Sequence, residues 1–70
     1  MKDFNVRIGS RIKEKRIEMG LSRAALGKMA LVSHKFLYDV EVGNKGISAE
    51  TLYKIANTLN VSADWLLFKE

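Results

Sequence analysis

The chain has no cysteine, no proline, one histidine and only six aromatic residues among 70. Without cysteine, neither a disulfide framework nor a thiolate zinc site can hold so small a chain together. A single histidine cannot complete a metal site, so neither a metal nor another cofactor is expected. No run of 18 or more apolar residues exists, so no segment spans a bilayer as a helix. The first residues, "MKDFNVRIG", lack the apolar run of a secretory signal. The expectation is a soluble, cytoplasmic protein. Seventy residues allow one domain, residues 1–70, with a core from about 4 to 67. A chain of this size buries only about 60% of its unfolded surface, which favours a compact core built from local contacts, hence helices.

Positive charge is plentiful by contrast. The net charge is +4, unevenly placed. Residues 1–35 hold nine Lys and Arg against three acids, and residues 36–70 hold three Lys against five acids. That polarity marks one face for a polyanion, usually nucleic acid, although solubility alone is the plainer explanation.

Apolar spacing predicts five short helices joined by tight turns, with no alternating pattern and no repeat. The first runs from about Phe4 to Met19, with Ile8, Ile12 and Met19 in one stripe and Gly20 placed to stop it. Ile17 points away from the stripe, which predicts a helix touched on two sides. Ser22 caps a second helix, about Arg23–Ala30, with Leu26, Met29 and Ala30 inward. Ser33 caps a third that buries Leu37 and Val40 and ends by Gly43. Gly43, Asn44 and Gly46 make "GNKGI" a loop tolerant of positive φ. Ser48 caps a fourth, where Leu52, Ile55, Ala56 and Leu59 repeat cleanly and Asn60 ends it. Ser62 caps a short last helix, "ADWLL", whose Trp65, Leu66 and Leu67 close the core. Phe68 lies past that helix, a candidate dimer contact.

Two short helices joined by a three- to four-residue turn form a helix-turn-helix unit, here about Arg23–Ala30 and His34–Val42. Its second helix is the one presented to a DNA groove. Gly27 supplies the small residue required where the two helices cross, and Leu37 with Val40 the apolar inner face. Glu41 follows Leu37 at i+4 and so points inward, where a carboxylate needs a partner. Lys15 and Arg16 both lie near the first helix's stripe, and periodicity does not choose between them.

On the outer face, Lys35 and Asp39 stand at i, i+4 opposite Leu37; a solvated ion pair is the plainer explanation. Tyr38, on one flank, can hydrogen-bond a phosphate, while Phe36, on the other, either packs against the loop before the fourth helix or meets DNA. Val42 faces outward, and His34 either touches DNA or only reinforces the helix start. Ser33, His34 and Asp39 make no hydrolytic triad, because neighbours on a helix point apart. With no phosphate-cradling glycine motif either, an enzyme is not expected.

Taken together, "SRIKEKRIEMGLS", "VSHKFLYDVEVG" and "TLYKIANTLNVSADWLL" resemble the DNA-binding domain of lambdoid phage repressors and Cro proteins, over about residues 8 to 67. The resemblance implies an all-α, five-helix, lambda-repressor-like bundle with the third helix in the major groove. It implies base contacts from His34, Lys35 and Asp39. It places Arg23 on a phosphate, where the family typically has glutamine, and Asn44 and Lys45 in a loop that grips the backbone. It also chooses Arg16 over Lys15 as the ion-pair partner of Glu41. Two departures stand out. Leu31 occupies a turn position that is usually glycine, and a left-handed leucine there costs on the order of 1 kcal/mol. Asp39 is an acid where Gln, Arg or Ser is commoner, although it can accept from cytosine N4.

The expected function is a transcriptional regulator, most simply a repressor, bound as a homodimer to a near-palindromic double-stranded DNA operator. A protein-interaction module on the same fold is the alternative.

Overall fold

A computed structural model describes residues 2–68, which form five α-helices and no strand. They are α1 (Lys2–Glu18), α2 (Arg23–Ala30), α3 (His34–Glu41), α4 (Ala49–Leu59) and α5 (Ala63–Phe68). None is long and apolar enough to cross a membrane.

Three of the four junctions follow one three-residue plan: Gly20-Leu21-Ser22, Leu31-Val32-Ser33 and Asn60-Val61-Ser62. The first residue turns left-handed, at φ 73°, 60° and 58°. The second donates its N–H to a carbonyl five residues back: Leu21 to Arg16, Val32 to Gly27 and Val61 to Ala56, at 2.9–3.0 Å. These bonds satisfy carbonyls that a helix end leaves open, while the apolar side chain of the second residue is half-buried. The third residue is the next helix's cap, its Oγ accepting from the N–H of Ala25, Phe36 or Trp65. Ser48 starts α4 in the same way, accepting from Thr51 at 3.2 Å. In the α3–α4 loop, of the three residues that tolerate positive φ, only Gly43 takes it, at 83°.

Leu31 therefore does hold the strained conformation that its position in the turn demands, and its side chain is 80% exposed. Replacing it with glycine removes steric strain and almost no packing, although it also loosens the unfolded chain. Leu31→Gly should raise the unfolding free energy by about 0.5–1 kcal/mol in a urea titration. Unchanged stability would mean that the strain at leucine is no larger than the cost of the looser unfolded chain.

The core is Ile8 and Ile12 of α1, Leu26 and Ala30 of α2, Leu37 and Val40 of α3, Leu52, Ile55, Ala56 and Leu59 of α4, and Leu66 of α5. Trp65 and Leu67 are half-buried at its edge. Four apolar assignments need correction. Met19 is exposed, because α1 ends at Glu18 and the third buried member of its stripe is Arg16. Ile17 is exposed too, so no neighbouring helix among the described residues covers that side of α1. Met29 is exposed because α2 turns inward through Leu26, Gly27 and Ala30. Phe68 belongs to α5 itself and is exposed at its last position.

Two glycines set how closely α3 is held. At Gly27, a Cβ would lie 2.6 Å from the Val32 carbonyl oxygen and against the Leu37 side chain, so the turn can fold tightly back on α2. At Gly9, a Cβ would collide with the carbonyl group of Val40, because α1 and α3 cross there backbone to backbone. The first was foreseen from the helix-turn-helix pattern. The second was not.

Candidate nucleic-acid interface

The rear of α3 is fixed by a carboxylate. Glu41 is completely buried at its side chain, and its two oxygens are shared by two guanidinium groups. Arg16 donates Nε to Oε2 at 2.7 Å and Nη2 to Oε1 at 3.1 Å, a bidentate fork. Its remaining Nη1 donates to the Leu21 carbonyl at 2.7 Å, so one side chain joins α1, the α1–α2 junction and α3. Arg23, the first residue of α2, donates Nε to Glu41 Oε1 at 2.9 Å. No buried side-chain nitrogen or oxygen among the described residues lacks a partner. Lys15, the alternative that periodicity left open, pairs instead with Glu18 at the surface, 2.6 Å away.

This geometry explains why arginine and not lysine occupies position 16. A planar fork satisfies both carboxylate oxygens and a backbone carbonyl at once, whereas an ammonium is a point donor. Two guanidiniums against one carboxylate also leave a local excess of one positive charge. Arg23 is the part that sequence reasoning missed. It was assigned only to phosphate, and no spacing rule links residue 23 to residue 41.

The front of α3 carries exposed His34, Lys35 and Tyr38, and Val42, just past its end, is exposed too. Lys35 stands well out, with 84% of its side chain exposed and Nζ 3.4 Å from Asp39 Oδ2. The Asp39 side chain is only 19% exposed, so Lys35 rather than Asp39 centres the outer face. The chain turns back here, the Asn44 N–H donating to the Asp39 carbonyl at 2.9 Å.

Two cations flank the helix. The Arg23 guanidinium lies over the Tyr38 ring, 5.3 Å from its centroid, and Lys45 Nζ lies 5.6 Å from the centroid of Phe36. Phe36 is half-buried against the core and meets the loop before α4, one of the two placements its flank position left open. Asn44 and Lys45 are both exposed in that loop. The structure thus brings Arg23, Tyr38 and α3 together on one side, and Lys45 and Phe36 on the other. Ser33 uses its hydroxyl oxygen as a helix cap. Among the described residues no group of His, Asp and Glu is arranged to hold a metal ion.

A family model described as helix-turn-helix matches residues 12–66. Several solved structures are similar over nearly the whole chain. The restriction-modification controller protein C.AhdI from Aeromonas hydrophila is 27% identical, with a TM-score of 0.85 over 89% of this chain and 94% of its own. The P22 c2 repressor, solved in complex with a synthetic operator, is 32% identical, with a TM-score of 0.86 over 90% of this chain and 96% of its own. SinR, the master regulator for biofilm formation, solved in complex with DNA, is 36% identical. Its TM-score is 0.83, over 86% of this chain and 97% of its own.

Proposed function

The chain belongs to the helix-turn-helix family of phage-repressor and Cro type, and on that footing we propose that it is a sequence-specific, double-stranded DNA-binding transcriptional repressor. The observation that carries this is the two-sided build of α3: an exposed lysine on its front, a fully buried carboxylate gripped by two arginines at its back. A helix so fixed can present side chains to base edges in one register, which sequence-specific recognition requires. Lys35 is the principal base contact, with His34 beside it at the helix start. Asp39, drawn back but reachable through Lys35, is the acceptor for a cytosine amino group or a tether that orients the lysine. Arg23, Asn44, Lys45 and the Tyr38 hydroxyl take phosphates, which give affinity and register.

One such unit covers little DNA, so the protein acts as a homodimer on a near-palindromic operator, in the cytoplasm on the nucleoid. Its half-sites would lie about one helical turn, roughly 34 Å, apart. Selection of sites from random duplexes, followed by a salt titration, tests the whole proposal. If each half-site neutralises about four phosphates, log K should fall against log[salt] with a slope of about −3.6 per half-site. A flat salt response, or equal affinity for selected and random duplexes, would favour a protein-interaction module instead.

A substitution separates reading from gripping. Lys35→Ala should weaken binding to the selected site by about 1–3 kcal/mol and relax choice at one base pair. A uniform loss across all duplexes would make Lys35 a phosphate contact, not a base reader.

A further inference from the structure

Both cations beside α3 rest on aromatic rings that belong to α3 itself. Arg23 reaches Tyr38 from α2, and Lys45 reaches Phe36 from the loop before α4. Residues 36 and 38 lie about 200° apart around a helix, so the two rings leave α3 on opposite flanks. A ring face carries negative charge density and attracts a cation within about 6 Å of its centroid, which both pairs satisfy. Lys45 would otherwise be a long, freely rotating side chain that loses rotamer freedom on meeting a phosphate. Arg23 is held twice, since Glu41 already takes its Nε and the ring takes its plane.

The geometry points to Tyr38 and Phe36 as positioning residues: their rings hold Arg23 and Lys45 on the two sides of α3, ready for the phosphates that border the groove. This inference rests on Arg23 and Lys45 being phosphate contacts, as proposed above. It gives the aromatic residues a role distinct from any hydrogen bond of the Tyr38 hydroxyl. It also places the same device on both flanks of one helix, so that either groove wall meets a cation already set in place.

Affinity for a selected operator duplex, measured by fluorescence anisotropy, tests it through double-mutant cycles. Tyr38→Met, which removes the ring face from an exposed position, should weaken binding by about two- to fivefold when Arg23 is present. In an Arg23→Ala background the same change should cost no more than Tyr38→Phe does, because only the hydroxyl's own contact is then left to lose. Tyr38→Phe keeps the ring and should keep the coupling to Arg23, whatever the hydroxyl itself contributes. Phe36→Met and Lys45→Ala form the matching cycle on the other flank, with Phe36→Tyr as the variant that keeps a ring. Thermal melting of each variant confirms that it is folded at the assay temperature. Should Phe36→Met fail that check, the Tyr38 cycle alone decides.

Ring loss and cation loss that simply add would overturn the inference, because a ring acting only as structure weakens binding with or without its cation. Loss of coupling in Tyr38→Phe would overturn it too, since the hydroxyl would then be the coupled group. Failure of the functional proposal looks different: the unaltered protein would not distinguish selected from random duplexes. If the protein binds but Arg23→Ala and Lys45→Ala leave affinity unchanged, the phosphate assignment is wrong and this inference falls with it.

Discussion

Gly9→Ala is expected to unfold most of the domain at 37 °C, lowering stability by about 3 kcal/mol or more. The expectation runs against local preference. Gly9 lies in the middle of a 17-residue helix, where alanine ordinarily stabilises by about 1 kcal/mol. The opposing effect is steric: the added methyl group would occupy the space of the Val40 carbonyl, a backbone group that cannot rotate away. Relief requires α1 and α3 to separate, which would open the contacts of Ile8, Ile12, Leu37 and Val40 together. It would also pull Glu41 away from Arg16, since Glu41 follows Val40 directly. A single small core supplies only about 3–5 kcal/mol in a domain of this size, so such a loss removes most of the stability. Urea unfolding followed by circular dichroism measures it. A gain in stability would show that the two helices pass further apart than the structure has them.

The contrast between Gly9 and the serines shows what a sequence exposes. Ser22, Ser33, Ser48 and Ser62 work through hydrogen bonds to residues three positions away, so the cap is written in consecutive letters. The same holds for Gly20 and Asn60, whose left-handed conformations end helices by local geometry. The buried face of α4 was equally plain, because four apolar residues repeat at one period. Gly9 has no such mark. It lies beside Ile8 in a good helix with nothing local to require a glycine, and only the arrival of α3 gives it meaning. Met29 misled for a related reason: spacing alone does not say where the centre of a face lies, and the close approach at Gly27 shifts it.

The interface divides along the same line. His34, Lys35 and Tyr38 fall on the exposed side because the direction of a helical side chain follows from its position, whereas Asn44 and Lys45, in the loop after α3, follow only from the resemblance. That Arg23 would share Glu41 with Arg16, or that Lys45 would lie over Phe36, depends on distances between elements. Asp39 differs: the periodicity of α3 places it on the outside, but periodicity does not say that its side chain is only 19% exposed there, with Lys35 Nζ at 3.4 Å.

Glu41→Ala should cost about 3–5 kcal/mol of folding stability, comparable to the whole stability of a domain this small. The loss comes less from the missing contacts than from what they leave behind. Arg16 is buried with its fork aimed at the empty position, and its charge would have no counter-ion there. Arg23 can swing outward, being 27% exposed, but Arg16 is tied to the Leu21 carbonyl and cannot. Glu41→Gln should fail almost as badly, since an amide keeps the shape yet turns an N–H donor toward a guanidinium. Removing both buried charges is a different matter: Arg16→Met with Glu41→Leu should recover most of the loss, because the desolvation penalty disappears along with the attraction. Lys15→Ala provides the surface control, and its pair with Glu18 should be worth less than about 1 kcal/mol. Unfolding at low salt and at about 1 M salt separates the two cases further, since screening weakens an exposed pair far more than a buried one. A Glu41→Ala loss below about 1 kcal/mol, or one that vanishes in salt, would mean that the carboxylate is solvated. In that event α3 is held only by Leu37, Val40 and the crossing at Gly9, and the rigidity that base reading requires would have to come from the DNA complex itself.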